Sequence, residues 1–219
     1  MKYALIALAL VALVATGATA ATVSYGPYAI GLSTTNWANS IGLQMFDPSL
    51  GTLNSISFTL NGHVEGNAKF ESMDASPATV GMDLSAMLTL QRPDLSTLVV
   101  TIPLASTTDN VTAFDGTIDF GGTSGKTYNN LNANDSDSAT TSTAADKALF
   151  TGLGFINLPV KAQGASTGYG AGNLLLQFQT LASASASVTY DYTPIPEPSS
   201  LLALMSGLGL VGFAVRRRR

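Results

Sequence analysis

The chain has 219 residues, 46% of them hydrophobic and only 11% charged, against about 25% charged in an average soluble domain. Setting aside Lys2, Glu197 and Arg216–Arg219 leaves 13 acidic and 5 basic residues between Ala21 and Thr193, a net charge of −8. An acidic middle with scattered cations is a poor footprint for nucleic acid, and no nucleic-acid partner is expected. With no cysteine and one histidine, His63, there is no disulfide framework, thiol nucleophile or multi-histidine metal centre.

The N-terminus reads Met1-Lys2, then an apolar run from Tyr3 to Val14, then small residues ending at Ala20. A cationic start, a short apolar core and an A-x-A site make residues 1–20 a secretory signal peptide. Ala18 and Ala20 are the residues a signal peptidase reads, and cleavage after Ala20 leaves Ala21 first. Twelve apolar residues are short of the roughly 20 that a bilayer crossing needs. The partners expected here are the Sec translocon and signal peptidase.

Tyr25, Tyr28 and Trp37 come next. They could stack on sugars, or close the ends of a core. In Phe46-Asp47-Pro48-Ser49-Leu50-Gly51-Thr52-Leu53, Asp-Pro starts a turn and Gly51 permits an awkward φ before a strand begins. Ser55–Leu60 alternates apolar and polar. Asn61-Gly62 follows, a strong hairpin signal, which predicts a return strand over His63–Glu71. Val80–Leu90 alternates strictly over eleven residues, so one face belongs in a core. Further strands are predicted over Leu98–Leu104, Val111–Phe120, Gly154–Ala162, Asn173–Thr180 and Ala182–Tyr192. Between them, 16 of the 27 residues 121–147 are Ser, Thr, Asn or Asp, which predicts a mobile polar loop. No window has a helical period.

This pattern predicts an all-β protein: an antiparallel β-sandwich, jelly-roll-like, over residues 21–193. Candidate chemistry within it is sparse. His63 lacks a companion motif, and no G-x-S-x-G elbow occurs. Asp135 and Asp137 lack the rest of a calcium loop. Asp115 and Asp119 share a face of their predicted strand, and a surface pair is the plain explanation. No catalytic residue, cofactor or metal ligand is assigned.

The C-terminus carries the most information. Pro196-Glu197-Pro198 is a stiff, extended tripeptide. Residues 199–215 then run without a charge, the lower limit for a transmembrane helix. Arg216, Arg217, Arg218 and Arg219 follow as a stop-transfer cluster, each costly to move into the bilayer. Lys2 and the arginines both prefer the cytoplasmic side, so the residues between lie outside the inner membrane.

Tripeptide, apolar segment and arginine cluster, in that order at residues 194–219, resemble the PEP-CTERM protein-sorting domain. The resemblance implies an exosortase as partner, in bacteria that make extracellular polysaccharide. It also implies transient anchoring in the inner membrane, processing, and release to the cell surface or exterior. A second resemblance lies in Phe46–Ile56, in Phe114–Gly125 and in Val188-Thr189-Tyr190-Asp191-Tyr192, which are similar to choice-of-anchor E domains. It implies a β-rich exported domain and supplies no catalytic residue. The expected function is therefore a non-enzymatic surface or extracellular-matrix protein of a biofilm-like polymer. A carbohydrate-binding module, with polysaccharide as partner, is the alternative, and a secreted hydrolase a more distant one.

Overall fold

The computed structural model describes residues 19–195. The expected signal helix and the expected transmembrane helix at 199–215 lie outside them. Among the described residues, no helix is long and apolar enough to cross a membrane.

Ten antiparallel strands build two facing sheets. In chain order they are β1 (Ala21–Thr34), β2 (Trp37–Gln44), β3 (Gly51–Ser72), β4 (Ala78–Gln91), β5 (Thr97–Thr101), β6 (Leu104–Val111), β7 (Gly125–Thr141), β8 (Phe155–Gly164), β9 (Thr167–Tyr169) and β10 (Leu174–Pro194). One helix, α1 (Ala144–Phe150), sits between β7 and β8. The first sheet has the order β1-β10-β3-β7. The second has the order β2-β8-β4-β5, with β6 and β9 also on β4.

The pairing is nested. First strand pairs with last (β1 with β10), β2 with β8, β3 with β7, and β4 with β5. This is the strand order of a jelly roll, in which a long folded ribbon wraps into two sheets. The period-two pattern places the core. Ile56, Phe58, Leu60 and Val64 of β3 face Leu84, Ala86, Leu88 and Leu90 of β4, and Ala182, Ala184, Ala186, Val188 and Tyr190 of β10 complete the layer. A second, smaller cluster gathers Ala68, Phe70, Val80, Met82 and Val111.

A fold line crosses the second sheet. β5 and β6 follow one another along β4, interrupted at Ile102-Pro103, and β8 and β9 do the same on its other side, interrupted at Ala165-Ser166. Both breaks lie beside Ser85, which is buried. The Ser85 hydroxyl donates to Pro103 O at 3.0 Å, and Ser166 Oγ donates to Ser85 O at 3.2 Å. Ser166 Oγ also lies 2.9 Å from Thr180 Oγ1 on the facing sheet. Ser85 N donates to the same Ser166 Oγ at 3.1 Å, so hydroxyls serve Ser85 N and Pro103 O at the breaks, while Ser85 O also accepts from Ala165 N.

Several expectations are corrected. Asn61-Gly62 is no hairpin: β3 runs straight through it for 22 residues. Gly62 faces the second sheet, and a Cβ there would lie 2.8 Å from Thr101 Cγ2 and 2.9 Å from Leu88 Cδ1. The glycine serves close sheet approach rather than a turn. Asn173–Thr180 and Ala182–Tyr192 are one strand, β10, because Leu181 continues the ladder opposite Glu65. Val111–Phe120 is mostly loop, with β6 ending at Val111.

The polar stretch 121–147 is not a mobile loop. It forms β7 and the start of α1. β7 holds because its polar side chains meet partners on β3. Ser57 pairs with Thr140 (2.8 Å), Thr59 with Ser138 (2.9 Å), Asn61 with Ser136 (2.8 Å) and His63 with Asn134 (2.8 Å), each directly opposite. Such cross-strand pairs contribute roughly 0.2–1 kcal/mol each. The helix is capped by Thr143, whose hydroxyl accepts from Asp146 N.

At Gly66 the backbone of β10 closes in, so a Cβ would collide with the carbonyl of Gln179. Gly31 has open space. Gly66→Ala is expected to destabilise the domain by about 1–3 kcal/mol through overpacking, and Gly31→Ala by far less. Urea unfolding of the two variants side by side checks this.

Candidate functional site

Two regions are candidates: the end of the sandwich where the chain leaves for the tail, and the outer face of the first sheet. The tail end begins with strand geometry. Ala21 pairs with Tyr192, so the first residue of the sheet lies two residues from its end. β10 ends at Pro194 opposite Gly51. Ile195 N then donates to Leu50 O at 3.3 Å. Pro196 follows immediately in sequence. Pro194 has no N–H to donate to the ladder at its end.

The surrounding loops are fixed. Asp47 caps a 3-10 turn, Pro48–Leu50, by accepting from Ser49 N at 2.8 Å, and that bond holds its carboxyl below the usual range. Gly51 takes φ 154° with Thr193 and Pro194 backbone pressed against it, a position closed to any Cβ. The expected turn with an awkward glycine is therefore present. Phe46 is buried beneath, its ring 5.6 Å from that of Tyr190 and 5.3 Å from that of Tyr192. Tyr190 OH donates to Gln44 O at 2.7 Å and ties the sheets together; burial pushes its pKa up. Met45 N donates to Gly154 O, and Gly152 N to Phe46 O.

Beside this cluster, Arg92 grips Asp146 through two bonds, Nε to Oδ1 at 2.7 Å and a second to Oδ2 at 3.0 Å. Asp146 is only 4% exposed and also accepts from Thr141 and Thr143. The guanidinium first, then the hydroxyls, lower its pKa to about 2.

The sorting residues Pro196, Glu197, Pro198 and Arg216–Arg219, with Ala18 of the signal site, lie outside the described residues. Ala20 is exposed and directly precedes β1.

The outer face of the first sheet is a lattice of small polar side chains. An open depression of about 680 Å³ lies on it, lined by Asn61, His63, Asn134, Ser183 and Ser185 among others. His63 Nδ1 is 2.8 Å from Asn134 Oδ1, and its Nε2 is 3.4 Å from Glu65 Oε2. Sequence reasoning placed His63 in a hairpin and missed this depression, because β7 was not read as a strand.

The aromatic candidates prove to belong to strands and to the core margin. Trp37 Nε1 donates to Ala182 O at 3.2 Å. Tyr25 stands edge-on to Tyr190, and Tyr28 edge-on to Phe155. The acidic candidates hold backbone. Asp135 Oδ2 accepts from Thr101 Oγ1 (2.7 Å) and Ile102 N (2.9 Å), linking β7 to β5 across the sheets. Asp137 accepts from Ser138 N. Asp115 and Asp119 do not share a strand face: they accept from Thr117 N and Gly121 N within one loop. Among the described residues no group of three or more His, Asp or Glu could hold a metal.

Residues 194–219 match one family model, the PEP-CTERM protein-sorting motif. Among curated proteins none matches the chain. Of the solved structures, the T13 infectious bursal disease virus particle aligns at 12% identity over 83% of this chain and 40% of that one, with a TM-score of 0.20. Latent PorU from Porphyromonas gingivalis aligns at 7% identity over 76% and 12%, with a TM-score of 0.21. Desmodium yellow mottle tymovirus aligns at 9% identity over 84% and 94%, with a TM-score of 0.17. The chain thus spans about two fifths of the first of these.

The Asp146 carboxylate binds its proton less readily folded (about 2) than unfolded (3.8). Its contribution, roughly 2 kcal/mol for a shift of that size, is complete above about pH 4 and is lost as pH falls through about 2. Asp146→Asn should lower the melting temperature at pH 6 and flatten its decline between pH 4 and pH 2. Thermal denaturation followed across that range checks both.

Proposed function

We infer from the PEP-CTERM motif at residues 194–219 that this is an exported protein sorted by an exosortase. We propose that signal peptidase removes residues 1–20 after Ala20, that residues 199–215 span the inner membrane with Arg216–Arg219 in the cytoplasm, and that an exosortase then cuts at or near Pro196-Glu197-Pro198. The sandwich is released to the cell surface or extracellular polymer as a non-enzymatic component. The observation that carries this reading is the junction itself. The last paired residue, Pro194, stands beside the start of β1, so both membrane-directed segments leave from one end of a finished domain.

The non-enzymatic reading is supported by the occupation of the acidic groups. Asp135, Asp115 and Asp146 each hold backbone or a neighbouring side chain. Glu71, fully buried, binds Ser124 Oγ (2.6 Å) and Phe120 N (2.8 Å) and so pins the 112–124 loop. A choice-of-anchor E-like ectodomain fits the same frame. Its opening segment and its closing Val188–Tyr192 lie together, Ile56 opposite Tyr190 and Leu53 opposite Tyr192.

One observation favours a second reading, polysaccharide binding. The depression around His63 offers neutral hydroxyls and amides, suited to a sugar's hydroxyls. His63→Ala and Asn134→Ala should then weaken retention on the host's own polymer at least several-fold, measured by affinity electrophoresis. Unchanged retention removes this reading.

Intact-mass measurement tests the sorting. Protein from cells with an active exosortase should begin at Ala21 and lack Arg219, and protein from cells without the enzyme should keep Arg219. An intact C-terminus in both overturns the proposal.

A further inference from the structure

Exposed apolar side chains gather where the tail leaves. Leu153 is 81% exposed, Phe155 60%, Ile195 59%, Leu95 56% and Leu50 36%. Leu50 bonds directly to Ile195. Leu153 rides on the loop that Met45 and Phe46 hold, and Phe155 stands opposite Gln44. Leu95 tops the β4–β5 turn, which Arg92 anchors to α1. These side chains come from four separate segments, and none of them belongs to either core cluster, although Phe155 touches Tyr28 at the core margin.

The chain outside the structure decides what covers them. Only Pro196, Glu197 and Pro198 separate Ile195 from the charge-free segment at Ser199. Four residue steps reach at most about 14 Å. The headgroup layer on each side of the hydrocarbon is about 5–8 Å thick. With the tail inserted, at most about 6–9 Å of fully stretched chain is left above the headgroups, which keeps the end of the sandwich within side-chain reach of the lipid. Asp47, Asp94 and Asp146 against Arg92 and Lys147 leave this end slightly acidic, so apolar burial rather than charge attraction drives the contact. Ile118 and Tyr169 are comparably exposed, at 54% and 55%, but no apolar chain segment departs from them.

We propose that Leu50, Leu95, Leu153, Phe155 and Ile195 form a lipid-contact rim that seats the unprocessed sandwich on the outer leaflet of the inner membrane. The rim rests on the reading of residues 199–215 as a membrane span. It fixes the orientation of the domain and brings its tail junction at Ile195 to the leaflet, where an integral membrane enzyme works.

The chain lacks cysteine, so a single introduced thiol carries a unique label. Full-length Leu153→Cys, Leu95→Cys and Ile118→Cys, purified from cells lacking exosortase, are labelled with an environment-sensitive fluorophore. Each is reconstituted into phosphatidylethanolamine–phosphatidylglycerol vesicles containing lipids spin-labelled at the headgroup. Labels at 153 and 95 should be quenched several-fold more than the label at 118. Equal quenching at all three, in chains that resist carbonate extraction, overturns the rim and leaves the membrane span standing. Chains released by carbonate overturn the span, and the rim with it.

Discussion

The last strand among the described residues is an interior strand, and the rest of the sandwich depends on that. β10 lies between β1 and β3 and matches β3 in register from Leu174–Ser72 to Pro194–Gly51, with a single irregularity near Tyr192. Without β10, β1 has no partner in its sheet, and Val64, Phe58 and Ile56 lose the layer formed by Ala182–Tyr190. The core is therefore complete only when the chain has been exported as far as Pro194. That residue lies two positions before the sorting tripeptide, so the fold is completed right next to the sorting signal.

The strands that could be read from the sequence were those with one apolar face. Val80–Leu90 and Ala182–Tyr192 showed strict alternation, and both lie in strands with their even residues buried, Tyr192 being half-buried. β7 was illegible because its stability comes from hydroxyl and amide pairs with β3, which appear only when the two strands are laid side by side. Even its inward-facing positions are acidic in places: Asp135 lies over Gly62 and Asp137 over Leu60. Inward charges on an edge strand discourage further strands from pairing, and they disguise the strand as a loop. α1 was missed because it is only seven residues long, too short for a period to emerge.

Asn61-Gly62 shows how a local signal can lose to a tertiary one. The dipeptide favours a tight turn, but Asn61 spends its side chain on Ser136 and Ser185, and Gly62 makes room for Leu88 and Thr101. The sorting signal was legible for the opposite reason. A proline-flanked acid, an apolar run and terminal arginines act through solvation and backbone stiffness, which need no partner strand. The lipid-contact rim could not be seen in this way, since its five side chains come from distant parts of the chain.

The site where the tail joins also sets how the protein bears force. A pull on the chain at Ile195 runs along the axis of β10, and two antiparallel ladders, to β1 and β3, resist it together. Hydrogen bonds loaded sideways must yield in groups, whereas bonds peeled from one end break one by one. A sandwich pulled by such a strand is built to hold fast under tension.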